Sequence, residues 1–524
     1  MVMRKIRYVI GVHSGHDASA CLFRDTELCG AIEKERLSRI KHDQGDPVEC
    51  IEYLLDNEGL SYEDIDIVVR CNWHDGKNLN DGYYDKFKNV IINKNHHLFH
   101  AYSVSLLSPD EDSVICVFDG RGCRPQDAGI KGDDNTFESE SVYKLHHNRI
   151  TMLEKYFSEY ISSGYRWGSH ADSLGYAFAD VSRCIFQSRD AAGKVMALAA
   201  FGNTSPSSPP VCSDLTRNPY IVNRRWLEYL NGHQIPVSYE SDFAKEISRA
   251  VQESIESYCL HRIKFVLDKY RIDNISLAGG VALNCKNNGM LFNRIPLRKL
   301  NIFPASGDNG LSVGCAVWAI RELYEDFRRL QWSPFLGKKY RETKIQRETI
   351  ACAAKYLSQK KLLGIFELGS EYGPRALCHR SIIADPSFSD MKDILNKKKG
   401  RELFRPFGGV VLERNIPRVT IDRIPNDWML SAVNVNKTIV SEIPGLVHKD
   451  GTLRIQVIRD TSSLIYALLE EYEKQTGRII LINTSFNGKG EPIVETESQA
   501  RKTARDLGLD YLIISGSCEK IIHN

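Results

Sequence analysis

No C-x-x-C pair occurs in this chain, no unbroken apolar stretch reaches transmembrane length, and neither sign of charge predominates. A chain of 524 residues needs no disulfide stapling, so its 14 scattered Cys read as reduced thiols of a cytoplasmic protein, most of them buried as small hydrophobes. The near-cancellation of 69 basic by 67 acidic residues argues against a nucleic-acid surface or a polybasic membrane face and favours small-molecule chemistry. Arg4, Lys5 and Arg7 precede an apolar run, but that run ends by Val12 in a polar loop rather than at a cleavage site. The reading is of a soluble protein, longer than one core can bury, hence two or three domains.

Among the features present, His96 and His100 stand four residues apart, just ahead of an apolar run that ends in Asp119. On a helix, positions i and i+4 share a face with Cβ atoms about 5–6 Å apart, so both imidazoles can reach one divalent ion. Residues 6–13 predict a buried strand, followed by the loop Ser14–Asp17 and a hairpin of two short runs, 18–24 and 27–33. In that loop His16 stands where an exposed base would, and Asp17 or another acid can fix its tautomer. A charged helix is expected near 34–42. The strand-to-polar-loop pattern recurs at 113–122, which suggests a duplicated core, and Val142-Tyr143 begins a further strand.

Gly193-Lys194 opens a helix whose lysine can point a cation at a phosphate. Residues 202–214 form a low-complexity loop to which no chemistry is assigned. Phe243, Ile247, Val251, Ile255, Cys259, Ile263 and Val266 recur at helical spacing and define one long core-facing helix. It feeds a strand running into Gly279-Gly280 and on to Asn284, a strand-to-helix turn whose amides can approach an anion. Asp308 lies at the carboxyl end of the next strand, as an ion ligand or a helix N-cap.

Residues 331–346 break the helical pattern and read as a linker between units at 1–335 and 346–524. The second unit alternates helices near 347–359, 389–398, 461–476 and 495–506 with strands at 362–368, 408–412, 478–483 and 509–515, an α/β pattern with a mostly covered sheet. Arg375, Arg380, Lys399, Arg401 and Arg405 are expected in its loops and element ends, where they can grip phosphate oxygens; Lys397 and Lys398 read as solvated. The apolar run at 479–482 leaves into a polar glycine loop where Asn483, Ser485 and Asn487 can donate to phosphate or carbamoyl oxygens.

Taken in order, H-D-A-S, H-H-x-x-H-A, a strand-borne D-G, G-K-V-M, G-G-V-A-L-N, G-D-x-G, G-P-R-A-L, R-E-x-F-R-P-F and N-T-S-F-N-G resemble the O-carbamoyltransferases of antibiotic and nodulation-factor biosynthesis over nearly the whole chain. The resemblance implies a duplicated, actin-like ATPase-type domain followed by a smaller α/β domain similar to threonylcarbamoyladenylate synthases. It makes His96, His100, Asp119 and Asp308 metal ligands and His16 a participant in transfer. Iron(II) is the metal it implies; the donor set suits manganese or zinc as well. The implied reaction uses ATP with Mg and carbamoyl phosphate to form carbamoyl adenylate, then carbamoylates the hydroxyl of a small-molecule natural product. No nucleic acid or membrane is involved, and acceptor and oligomeric state stay open. Lys194, Gly279, Gly280 and Asn284 would serve a nucleotide in the first domain, and Arg375, Lys399, Arg401, Arg405, Asn483, Ser485 and Asn487 the carbamoyl donor and ATP in the second. Four departures from the family pattern, Ala197, Cys378, Gly408-Gly409 and Val457, touch loop shape near the donor site. The rival readings are an actin-like metabolite kinase and a non-catalytic nucleotide-binding scaffold.

Overall fold

The computed structural model describes residues 7–72, 80–108, 111–161, 170–203, 208–338 and 346–522. They form two compact units, one of residues 1–34 and 42–333 and one of residues 35–41 and 334–524. Part of the expected linker (339–345), of the low-complexity loop (204–207) and of the N-terminal basic run (Arg4, Lys5) lies outside the described residues.

The first unit holds two sheets of one topology. In the first, β1 (Tyr8–Ser14), β2 (Ser19–Arg24) and β3 (Glu27–Glu33) form an antiparallel meander, and β4 (Ile67–Asn72) and β5 (Val90–Ile92) extend it in parallel from β1, giving the order β3-β2-β1-β4-β5. In the second, β6 (Ser113–Phe118), β7 (Thr136–His146) and β8 (Arg149–Ile161) repeat the meander, β10 (Asn274–Ala278) and β11 (Lys299–Ile302) repeat the parallel extension from β6, and β9 (His170–Ala171) adds to the far edge. This is the duplicated, actin-like arrangement. β1 and β6 are buried along their full length, which fits central strands covered on both faces and reads in sequence as continuous apolar runs. The predicted strand at Val142-Tyr143 is the middle of β7, which begins six residues earlier at Thr136.

The long helix Asp242–Tyr270 starts on Ser241, whose hydroxyl accepts from the Ala244 N–H, and buries Ile247, Val251, Ile255, Cys259, Ile263 and Val266. Helix His96–Ser105 is buried on almost every side because helix Leu311–Trp318 lies directly against it. Gly314 permits that approach, since a Cβ there would collide with the Phe99 carbonyl. No helix among the described residues is long and apolar enough to cross a membrane.

The second unit is built on one mixed sheet of eight strands: β12 (Leu363–Phe366), β13 (Arg380–Ala384), β14 (Gly408–Leu412), β15 (Trp428–Asn434), β16 (Thr452–Ile458), β17 (Ile480–Ser485), β18 (Tyr511–Ile514) and β19 (Ser517–Lys520), in the order β15-β16-β14-β17-β13-β12-β18-β19. Successive side chains serve opposite faces: Ile480 and Ile482 join one core with Val411 and Leu512, whereas Leu481 joins the other with Val410, Leu468 and Tyr472. β13, β15, β16 and β19 have no counterpart in the sequence reading. Arg380 accordingly opens a buried strand, and its guanidinium donates to the carbonyls of Glu367, Leu368 and His379. It braces the backbone and does not belong with the anion-binding cations.

Candidate active site

The carboxyl ends of the central strands carry the chemistry, as expected for parallel strands whose loops gather there. Asp119 follows β6, and Asp308 follows β11 after a short loop. Their carboxylates meet the imidazoles of His96 and His100. His96 Nε2 lies 3.3 Å from Asp119 Oδ2 and 3.5 Å from Asp308 Oδ1. His100 Nε2 lies 3.9 and 3.6 Å from the same oxygens and 3.2 Å from His96 Nε2. A tetrahedron of donors about 2.1 Å from a divalent ion has edges of about 3.4 Å, so these four atoms fit one metal, with hard and borderline donors that suit iron, manganese or zinc. Two ring nitrogens facing each other across 3.2 Å point to the same conclusion. Burial works against a charged His96, but the carboxylates of Asp308 and Asp119 outweigh it and raise its pKa well above the usual value. Asp308 is a ligand candidate and not an N-cap: the residue before it occupies the cap position, and no side chain caps the turn.

Glu138, which sequence reasoning missed, anchors the quartet. It is fully buried, accepts from the backbone N–H groups of His97 (3.2 Å) and Cys123 (3.1 Å), and is ion-paired with Lys155. It thereby fixes both the first turn of the histidine helix and the loop after Asp119. Only the middle of β7 shows in the sequence, so nothing there marks Glu138 as special.

The residues expected to hold a nucleotide in this unit have other partners. The Gly280 N–H donates to Asp119 Oδ1 at 2.9 Å, which holds Oδ2 toward the histidines. Gly279 sits at φ +85°, where a side chain is strained and would strike the Phe118 carbonyl. Asn284 caps helix Cys285–Arg294 through the Asn287 N–H and pairs with Gln252. Lys194 is half-buried, its ammonium 4.8 Å from the Phe186 ring centroid.

His16 lies in the β1–β2 hairpin turn, so the plain structural reading and the functional one coincide. The sequence puts an exposed base at this position, with Asp17 or another acid to fix its tautomer. The structure adds Asp190: Nδ1 is 3.2 Å from Asp17 and Nε2 is 3.0 Å from Asp190. His42 donates from Nδ1 to Asp17 at 2.8 Å and stacks on the His16 ring, centroids 5.4 Å apart. Burial opposes the His16 charge, but the two carboxylates win and raise its pKa to about 11. An acid on each nitrogen favours the charged form of the ring. Asp190 precedes the G-K-V-M motif closely, and that proximity was the only signal for it.

In the second unit Lys399, Arg401, Arg405, Ser485 and Asn487 come together. Lys399 is 1% exposed and donates to the Ser485 carbonyl (2.5 Å), the Asn487 carbonyl (2.7 Å) and Asn487 Oδ1 (2.9 Å). Arg401 donates to Ser485 Oγ at 3.1 Å, and Arg405 lies 3.5 Å from Glu402. Burial, then Arg401, Arg405 and Lys41, push the Lys399 pKa well below the ordinary lysine value. Burial, then Arg405 and Arg454, push Arg401 down to about 9. Cations held below their ordinary range in this way would be stabilised by an anion placed among them. Arg375 projects from the loop before β13 and is half-buried. Asn483 is turned elsewhere: its amide donates to Gln456 Oε1 at 2.7 Å and to the Ala376 carbonyl at 3.1 Å.

Of the four departures from the family pattern, Ala197 is buried in helix Ala192–Leu198, Val457 pairs with Val411, and Gly408-Gly409 open β14. Cys378 differs. It holds φ +77° with a buried side chain, and its thiol lies 3.3 Å from Gln456 Oε1. A non-glycine residue in that region costs about 1 kcal/mol or more. Cys378→Gly is therefore expected to keep or raise stability, by up to about 1 kcal/mol, and Cys378→Val to lower it by more than about 2 kcal/mol, as read from denaturant midpoints.

The neighbouring His379 stacks on Phe335, centroids 3.5 Å apart, and donates from Nδ1 to the Gly369 carbonyl at 2.8 Å. Burial pushes its pKa down from 6.5 to about 4. Between those values the unfolded chain binds a proton that the native imidazole refuses, so stability falls as pH drops from about 6.5 to about 4. Unfolding midpoints across that range are expected to show a slope from which His379→Gln removes about 1 kcal/mol per pH unit.

Residues 8–81 and 77–317 match the family described as Carbamoyltransferase N-terminus, and residues 354–520 match that described as Carbamoyltransferase C-terminus. The chain is 28% identical over 563 residues to the nodulation protein NolNO of Sinorhizobium fredii, covering 95% of this chain and 78% of that protein. It is 24% identical over 569 residues to nodulation protein U of Rhizobium fredii, covering 96% and 93%. Among solved structures, HypF of T. kodakarensis is similar with TM-score 0.38 and 13% identity, over 63% of this chain and 50% of that one.

Proposed function

The chain belongs to the carbamoyltransferase family, and from that premise we propose that it activates carbamoyl phosphate with ATP and transfers the carbamoyl group to the hydroxyl of a small-molecule acceptor. The observation that carries this reading is the coexistence, in one polypeptide, of a buried two-histidine, two-carboxylate cluster and a separate pocket of depressed cations. The second suits assembly of a crowded anion; the first suits its use.

In the second unit Arg375, Lys399, Arg401 and Arg405 would hold the phosphates of ATP and carbamoyl phosphate. Their charge offsets the repulsion as water cleaves carbamoyl phosphate to carbamate and phosphate and a carbamate oxygen then attacks the α-phosphorus of ATP, forming carbamoyl adenylate and releasing pyrophosphate. In the first unit His96, His100, Asp119 and Asp308 would hold a divalent metal, which when bound supplies Lewis-acid polarisation. Asp190, hydrogen-bonded to His16, would take the proton leaving the acceptor's hydroxyl as it attacks, with His16 and Asp17 holding it in place. AMP is the leaving group.

The test is incubation of metal-loaded protein with ATP and carbamoyl phosphate without acceptor. Pyrophosphate and AMP are expected. ADP as the sole nucleotide product would indicate a kinase, and no turnover by folded, loaded protein would indicate a scaffold.

A further inference from the structure

Residues 35–41 lie far from the second unit in sequence yet belong to it, although Lys34 and His42 on either side belong to the first. The segment opens in the short helix Lys34–Ser38. Its two arginines reach backbone carbonyls. Arg36, 1% exposed, donates through one terminal nitrogen to the carbonyls of Glu371 (3.2 Å) and Gly373 (2.9 Å), 335 and 337 residues away. Arg39 donates through its two terminal nitrogens to the carbonyls of Pro492 and Ile493, both at 2.7 Å, 453 and 454 residues away.

Each arginine lands on a loop that carries anion-pocket residues. The 371–377 loop bears Arg375 and is closed on its own side by Glu371, whose carboxylate accepts from the Leu377 N–H at 2.6 Å. The 487–493 loop begins with Asn487, a partner of Lys399, and is closed by the Asn487 amide on the Glu491 carbonyl at 2.6 Å. Those internal bonds set the shape of each loop, and the arginines tie the carbonyl edge that remains. A guanidinium presents several donors in a fixed plane, so one side chain can span two carbonyls, and a lysine offers a single freely rotating point.

We propose that Arg36 and Arg39 are positioning residues for the carbamoyl-donor pocket: the 35–41 segment braces the two loops that present Arg375 and Asn487 and so completes the pocket. This rests on the adenylate-forming role given to that pocket above. A displacement of about 1 Å in groups that orient a reaction costs up to about 100-fold in rate, so loss of the brace is expected to be felt in turnover more than in folding.

The experiment uses the full chain with Arg36→Ala, Arg36→Lys, Arg39→Ala and Arg39→Lys. It measures pyrophosphate release across carbamoyl phosphate concentrations and, in parallel, amide hydrogen exchange. Arg39→Ala is expected to lower kcat/KM for carbamoyl phosphate roughly 10- to 100-fold and to speed exchange in peptides covering 488–494, and Arg36→Ala to do the same with exchange in peptides covering 369–377, while exchange in β14 and β17 stays unchanged. The lysine variants are expected to recover part of the loss. Unchanged kinetics and unchanged loop exchange in both alanine variants would overturn the proposal. So would exchange that rises evenly through the unit, since that is a loss of general stability. If Arg36→Ala fails to fold, the partly exposed Arg39 decides the matter. Wild-type protein that releases no pyrophosphate would sink the functional reading, and the exchange data would still judge the brace.

Discussion

Replacing His100 with alanine is expected to abolish carbamoyl transfer to any acceptor while pyrophosphate release from ATP and carbamoyl phosphate continues at the wild-type rate. His100 Nε2 is one of four convergent donors, 3.2 Å from His96 and 3.6 Å from Asp308, and its ring is fully buried. Without it, one imidazole faces two carboxylates and the donor set falls to three. Loss even of an outer partner of a ligand costs about 10- to 100-fold in affinity or activity, so loss of a ligand is expected to cost more than about 100-fold. The residual structure survives because the quartet hangs on Glu138, Gly280 and the Gly314 crossing, none of which involves the His100 ring. Elemental analysis of purified variant and wild type checks the metal directly, without any turnover. Equal loss of both half-reactions would contradict the division of labour between the two units.

The legible parts of the sequence are those governed by local periodicity. His96 and His100 declare themselves because helical geometry alone puts them on one face. β1, β6 and β17 show because strands buried on both sides leave apolar runs, and Asp119 and Asp308 follow such runs. What the sequence hides depends on distant chain. β15 pairs with β16 toward a sheet edge through a register shift between Trp428 and Ala432 and carries Ser431 in its apolar run. β16 does alternate Leu453, Ile455 and Val457 with Arg454 and Gln456, over too few positions to stand out. Arg380 looks like its neighbours Arg375 and Lys399 until its three carbonyl acceptors are known. Glu138 and Asp190 matter through residues as far as 41 and 174 positions away. The membership of residues 35–41 in the second unit has no local signature at all. Residue type and spacing thus give the four donors that the structure brings together, but not the buried acids and arginines that hold them or their counterparts in place.

Lys399→Ala is expected to lower pyrophosphate release by about 100- to 1,000-fold and to leave the metal content of the first unit untouched. Two effects combine in this side chain. Its ammonium is the most buried positive charge of the anion pocket, and it also binds the carbonyls of Ser485 and Asn487 and the Asn487 side chain, which shapes the loop beside the donor. Lys399→Met keeps the volume and loses the charge. If charge is the larger part, both variants lose kcat to a similar degree; if loop shape is, methionine retains most of the activity. The depressed pKa values of Lys399 and Arg401 favour charge. Burial and mutual repulsion destabilise these cations in the free protein, and an anion placed among them restores the protonated forms, so binding and proton uptake are linked. The sign follows: as pH rises and the depressed Lys399 ammonium loses its proton, affinity for carbamoyl phosphate falls. Calorimetric titration in buffers of differing ionisation enthalpy is expected to show protons taken up on binding by wild type and fewer by Lys399→Met. Proton release on binding, or an affinity that climbs with pH, would mean that the pocket holds something other than the anionic donor.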